Sequence, residues 1–164
     1  MEQKKLIVYF SLAGNTEKIV EELQKVLCAD VCRLEPVVPY TGTQDEISAQ
    51  GLEETKKGYL PEIKPQNVNL DDYQTVIIGT PTWWYTMAPV VHTFIHANKW
   101  NEKTVVPFMT NAGWPGHVIK DMKSACQGAI FCCEHEFLFS PDETGKMEFS
   151  RKELQTWIEA VKAL

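Results

Sequence analysis

Apolar runs without polar interruption alternate along this chain with segments of helical periodicity, and no other feature restricts its fold as much. Residues 5–10 contain Leu6-Ile7-Val8-Tyr9-Phe10, and residues 75–79 contain Val76-Ile77-Ile78. A strand that is apolar on both faces must be covered on both faces, as happens in parallel sheets packed between helices. Residues 31–34 read as a short second strand and 104–109 as a fourth. Residues 129–133 together with 137–139 read as a fifth strand region. Helices are predicted over 16–28, 89–97, 118–125 and 151–164. The first places Ile19, Val20, Leu23, Val26 and Leu27 on one face, and the last does the same with Leu154, Trp157, Ile158 and Val161. The fold class is therefore α/β, a three-layer, doubly wound, five-stranded parallel sheet. A length of 164 residues fits one domain over 1–164.

Charge and cysteine usage narrow the partners. The formal net charge of −6 argues against a nucleic-acid partner, whose phosphates are met by basic surfaces. It permits docking onto a basic protein surface. Residues 1–5 precede a short strand-like run without a cleavage pattern, so no leader is expected. No apolar stretch approaches membrane-spanning length, so no membrane partner is expected. Cys28, Cys32, Cys126, Cys132 and Cys133 are odd in number and lack paired short spacings, which suits a reducing cytoplasm better than a disulfide framework. Cys132 and Cys133, as successive strand residues, would point to opposite faces and not share a metal, so no metal is expected. His92 and His96, one helical turn apart, read as a solvated helix edge, and Glu53-Glu54 and Asp71-Asp72 as solvated surface or a docking face.

In a doubly wound sheet, ligands bind beyond the carboxyl ends of the strands. Three unusual loops follow the predicted strands there. The first is Ser11-Leu12-Ala13-Gly14-Asn15-Thr16. Its hydroxyls, amide and glycine, backed by a helix N-terminus, suit a small phosphate ester, though the same residues also make an ordinary capped turn. Neither G-x-x-x-x-G-K-[ST] nor G-x-G-x-x-G is present, which counts against a nucleoside triphosphate and a dinucleotide. The second loop, 80–89, carries Pro81, Thr82 and the consecutive aromatics Trp83, Trp84 and Tyr85. They can stack on a planar heterocycle, or instead plug the sheet edge and lean on the long polar stretch 35–72. That stretch has prolines at 36, 39, 61 and 65 and a weakly patterned helix over 44–57. The third loop, with Asn111, Ala112, Gly113 and Trp114, offers backbone N–H groups to a ring's carbonyl edge, or is a glycine-punctuated turn. His117 closes it and is a candidate for contact with substrate or cofactor.

A phosphate cradle, a stacking wall and a polar edge together describe a site for flavin mononucleotide, FMN. The chain resembles the flavodoxin family in three motifs, taken in order: Tyr9 to Thr16, Ile78 to Trp84, and Phe108 to Gly113. The runs Ala88 to Ile95 and Tyr59 to Ile63 are similar to a subgroup of flavodoxin-like proteins. The resemblance implies strand order 2-1-3-4-5 and noncovalent FMN. The phosphate would lie on Ser11, Leu12, Ala13, Gly14, Asn15 and Thr16. The ring would lie on Pro81, Thr82, Trp83, Trp84 and Tyr85, and its pyrimidine edge on Asn111, Ala112, Gly113 and Trp114. It further implies electron transfer, with redox proteins or a small acceptor such as a quinone as partners. The alternatives are an NAD(P)H-dependent FMN or quinone reductase and, in another class, a cofactor-free binding scaffold; the chain would be a monomer or homodimer. It departs from the family pattern in the second ring loop, where Asn111 and Ala112 stand where the subgroup often has small hydroxyl residues to bond the ring edge, and also in the first. Between Gly79 and Gly113 there is no glycine, so a peptide flip beside the flavin that needs φ > 0 would be costly and the one-electron-reduced form poorly stabilised.

Overall fold

The computed structural model describes residues 4–164. The first three residues, part of the segment expected to carry no leader, lie outside the described residues. The chain runs through β1 (Lys5–Tyr9), α1 (Asn15–Val26), β2 (Ala29–Arg33), α2 (Gln44–Lys57), a single 3-10 turn at Leu70–Asp72, and β3 (Thr75–Trp83). It continues through β4 (Thr86–Met87), α3 (Pro89–His96), β5 (Thr104–Asn111), α4 (Val118–Ala125), β6 (Ile130–Phe131), β7 (His135–Leu138) and α5 (Arg151–Lys162).

The parallel strands lie in the order β2-β1-β3-β5-β6, and β7 pairs with β5 beyond the end of β6. β6 and β7 thus share the fifth position, and counting parallel positions alone the order is 2-1-3-4-5. Alternation along β1 sends Leu6 and Val8, with Phe10 beyond them, into one core and Ile7 and Tyr9 into the other. The first core is closed by α3 and α4 through Val90, Val91, Phe94, Val118 and Met122. The second is closed by α1 and α5 through Ile19, Leu23, Leu154, Trp157 and Ile158. At Gly79 in β3, a Cβ would stand 2.3 Å from the Phe108 ring, so only glycine leaves that buried ring its place. No helix among the described residues is long and apolar enough to cross a membrane.

Three expectations need correction. The fifth strand region is two short strands, and Ala129 and Phe139 lie outside both. Cys132 and Cys133 fall in the gap between them, with Cys133 at φ 54°, so strand alternation does not govern where their side chains point. Among the described residues, no group of three or more His, Cys, Asp or Glu side chains could hold a metal ion. Glu54 is not solvated surface. It is 8% exposed and accepts hydrogen bonds from Tyr40 (2.8 Å) and Gln50 (3.0 Å), whereas Glu53, Asp71 and Asp72 are exposed. This buried carboxylate ties α2 to the segment before it, and the Thr43–Glu46 capping box fixes the start of the helix.

Candidate functional site

Parallel register brings three strand ends onto one rim: Tyr9 faces Gly79, and Pro81 faces Thr110. Beyond β1 the 11–16 loop is shaped by Ser11, whose Oγ accepts the N–H groups of Gly14 (3.2 Å) and Glu17 (3.3 Å). Gly14 sits at φ 97° as the residue before α1, with open space where a Cβ would stand. Among the described residues, the N–H groups of Leu12, Ala13, Asn15 and Thr16 have no protein partner. Asn15 Oδ1 is buried without a partner as well. Thr16 turns inward, where its hydroxyl meets that of Thr110 at 2.8 Å. Open amides at a helix N-terminus form a ready-made anion cradle.

Sequence reasoning missed Arg33. Its guanidinium bonds the Ser11 carbonyl (3.2 Å), pairs with Glu17, and lies 5.7 Å from the centre of the Tyr9 ring. The Tyr9 hydroxyl donates to Glu17 (3.0 Å). Burial and that carboxylate push the Tyr9 phenol above its ordinary pKa. The only available signal was register, since Arg33 ends β2 directly opposite Tyr9.

The second loop is not a loop. β3 runs on through Trp83, turns at Trp84–Tyr85 and returns as β4, with Thr82 opposite Met87 and Trp83 opposite Thr86. Trp84 and Tyr85 have φ of 49° and 70°. Two left-handed residues between paired strands make a type I′ turn, ordinarily a place for Asn and Gly. Trp83 packs edge-on against Phe10 (5.7 Å) and Tyr40 (4.8 Å). Trp84 Nε1 donates to the Ser48 carbonyl of α2 at 2.8 Å. From the other side, His117 N–H donates to the Tyr85 carbonyl (2.8 Å), and a Cβ on Gly116 would lie 2.3 Å from that carbonyl oxygen. Asp121 accepts from the Thr86 hydroxyl (2.5 Å) and pairs with His117 Nδ1. His117 therefore serves the turn through its backbone and its ring.

A cleft of about 310 Å³ opens between these parts. Leu12 bounds it toward the 11–16 loop, Thr82, Trp83, Trp84 and Tyr85 form one wall, and Ala112 and Trp114 line it beside Asn111. Ile47, Ser48 and Gly51 of α2 close the remaining side. Trp84, Tyr85 and Trp114 stay 40%, 50% and 61% exposed. Pro81 stays in the β3 ladder and does not line the cleft. The Asn111 amide shapes its own loop, since Oδ1 accepts the Gly113 N–H at 2.9 Å. Open amides at a helix N-terminus beside a cleft walled by exposed flat rings fit a phosphorylated planar ligand.

The family model for flavodoxin matches residues 4–161. A solved structure described as a flavoprotein from Bacteroides eggerthii DSM 20697 is 26% identical, with a TM-score of 0.75 and 99% of each chain covered. Another, described as a flavoprotein from Bacteroides uniformis ATCC 8492, is 22% identical with a TM-score of 0.76, covering 97% of this chain and 99% of that one. A flavoprotein in complex with FMN from Lactobacillus acidophilus NCFM is 20% identical with a TM-score of 0.70, covering 82% of this chain and 93% of that one. Among curated proteins none matches.

Proposed function

This chain belongs to the flavodoxin family, and on that premise we propose that it binds FMN noncovalently in the rim cleft and works as an electron-transfer protein. The observation that carries the reading is the set of four unpartnered N–H groups at 12, 13, 15 and 16 beside a cleft walled by aromatic side chains. The FMN-bound Lactobacillus protein supports it by sharing the fold. When bound, the flavin supplies the redox chemistry; the chain holds it, orients it and shields it. The loop amides and the Ser11 hydroxyl, whose oxygen already accepts two bonds and whose proton is free, would hold the phosphate. Trp84, Tyr85 and Trp114 would flank the ring. Among the described residues, the cations lining the pocket beside Ser11 and Leu12 are Arg33 and Lys64, already paired with Glu17 and Glu35. The cradle is therefore built of neutral donors, and gain of negative charge on the ligand is disfavoured. Partners would be redox proteins reaching the cleft rim, in a reducing cytoplasm that suits five free cysteines.

One observation favours a second reading, an NAD(P)H-dependent reductase passing electrons in pairs to a quinone or similar small molecule. Reversing the central peptide of the Trp84–Tyr85 turn would convert it to type II′. Trp84 would then need φ and ψ of about +60° and −120°, a region open to glycine. The turn therefore resists the rearrangement that a one-electron carrier relies on.

The test is a visible absorbance spectrum after FMN is added and the excess removed. Retained flavin bands with a red-shifted shoulder support the site, and NADPH oxidation by the loaded protein then separates reductase from carrier. A colourless protein would leave the cofactor-free scaffold as the better reading.

A further inference from the structure

At the outer edge of the sheet, the break between β6 and β7 brings two thiols together. Between the paired residues Val105–Phe131 and Phe108–His135, β5 has two residues, 106 and 107, and the edge has three, 132 to 134. One extra residue on one side of a ladder is a bulge, which bends the strand and re-aims its side chains. Its cause lies in β5. The Val105 carbonyl accepts the Cys132 N–H (3.3 Å), and by alternation Pro107 faces the same edge with no N–H to donate. Cys133 takes φ 54° in this bulge, an uncommon conformation for a residue other than glycine. Regular alternation would send residues 131, 132 and 133 to opposite faces in turn. Phe131 does pack against the core closed by α3 and α4, but Cys132 and Cys133 both pack against the one closed by α1 and α5.

Both thiols are free and partly exposed. The pair is pinned at its two ends, by the Val105 bond and by Trp157, whose Nε1 donates to the Cys133 carbonyl at 2.7 Å. The Cys132 pKa is raised by burial first and then by the charge and side-chain hydrogen bonding of Cys133, so the two sulfurs lie within reach of each other. Paired thiols can form a disulfide, but adjacent Cα atoms stand only about 3.8 Å apart across a trans peptide, and unstrained disulfides begin at about 4.4 Å. Paired thiols can also hold zinc, but zinc takes four ligands. The adjacent donors are already committed, Glu134 to Lys123 and His135 to Glu153. A soft centre that needs only two sulfurs and brings its own third substituent meets neither obstacle. We propose that Cys132 and Cys133 together chelate a monosubstituted trivalent arsenical. In its hydrated form, two As–O bonds break and two As–S bonds form. The thiol protons leave with the hydroxides as two waters, and no electrons change hands.

The test is mass spectrometry of the full chain treated with phenylarsine oxide in the presence of glutathione. The expected result is one phenylarsenic group per chain that survives excess glutathione and is removed by 2,3-dimercaptopropanol. Cys132→Ser and Cys133→Ser should each abolish the adduct while the circular dichroism spectrum is retained. Cys28→Ser, which removes an exposed cysteine elsewhere, should leave it unchanged. The adduct of the folded chain should withstand about tenfold more glutathione than the adduct formed in urea, because a pinned pair loses less freedom on binding. Equal resistance in urea would overturn the proposal, since adjacency in sequence alone would then explain the binding. So would retention of the adduct in either the Cys132 or the Cys133 variant, its loss in the Cys28 variant, or no adduct that survives glutathione. The experiment needs no flavin, so this proposal and the cofactor reading fail separately.

Discussion

The 11–16 loop and the Trp84–Tyr85 turn border one cleft and are built on opposite plans. The loop reaches its shape with glycine and near neighbours. Gly14 takes φ 97° in open space, and Ser11 bonds amides three and six residues away, while Arg33 on the Ser11 carbonyl and Thr110 on the Thr16 hydroxyl hold its two ends from a distance. The turn puts two bulky aromatics at φ 49° and 70°, and its supports come from distant parts of the chain: Ser48, Gly116, His117 and Asp121. Strained backbone persists where the surroundings over-determine it. The backbone of the loop at Gly14 should therefore tolerate change elsewhere in the molecule better than the turn does.

The largest effect that would sharpen this contrast is Gly116→Ala. Its Cβ would strike the Tyr85 backbone at 2.3 Å, at a φ of 57°. Overpacking and left-handed strain together should lower stability by about 2–4 kcal/mol in urea denaturation, and a near-wild-type midpoint would break the claim that the turn is clamped there. Asp121→Ala comes next. It leaves the Thr86 hydroxyl and His117 Nδ1 without their shared acceptor. A loss of about 1–2 kcal/mol is expected, with weaker FMN retention. Gly14→Ala makes the same glycine-to-alanine change on the loop side and meets no atom, so denaturation should show only about 1 kcal/mol of left-handed strain. FMN retention on a desalting column should nonetheless fall about tenfold, an affinity change of about 1.4 kcal/mol, because the new methyl group occupies space beside the open amides. If stability falls as far as with Gly116→Ala, the two regions are not built differently.

Trp84→Gly should change stability by less than about 1 kcal/mol, since relief of left-handed strain offsets the lost bond to Ser48. Its signature would be redox: a dithionite titration of the FMN-loaded variant should show more of the one-electron-reduced form than the parent. The smallest effect concerns the Tyr9–Glu17 bond under the loop. The folded protein raises the Tyr9 pKa from 10.0, so the contribution of this group is fully present below pH 10 and fades as pH rises through the higher folded value. Tyr9→Phe should flatten the alkaline limb of a stability–pH curve and leave neutral pH little changed.

How much could be read from sequence follows the same division. The limits of α2 and α4 agree with residues 44–57 and 118–125, because a capping box or an amphipathic stripe is a local signal. The apolar runs located β1, β3 and β5, but β3 and β5 extend further, to Trp83 and Asn111. Trp83-Trp84-Tyr85 shows none of the turn chemistry that announces a hairpin, so the sequence around β4 reads as loop. The two readings of the aromatics also proved compatible. Trp83 packs on Phe10 and Tyr40 and Trp84 leans on α2, yet the ring faces of Trp84 and Tyr85 stay open to the cleft. The absence of glycine was legible and its consequence only half so. Positive φ is already adopted here without glycine, and the step that stays barred is the further reversal of the peptide.

Composition and periodicity alone determined the alternation of elements, the two-faced burial of the inner strands and the glycine-bearing loop after β1. Each depends on residues close in the chain and on the simple demand that apolar surface be covered. Tertiary structure alone decided that Arg33 lies under the loop, that Glu54 is buried, and that the carbonyl of Tyr85 is held by His117. These are contacts between segments tens of residues apart, set by strand register and helix packing, and no local pattern encodes where such segments meet.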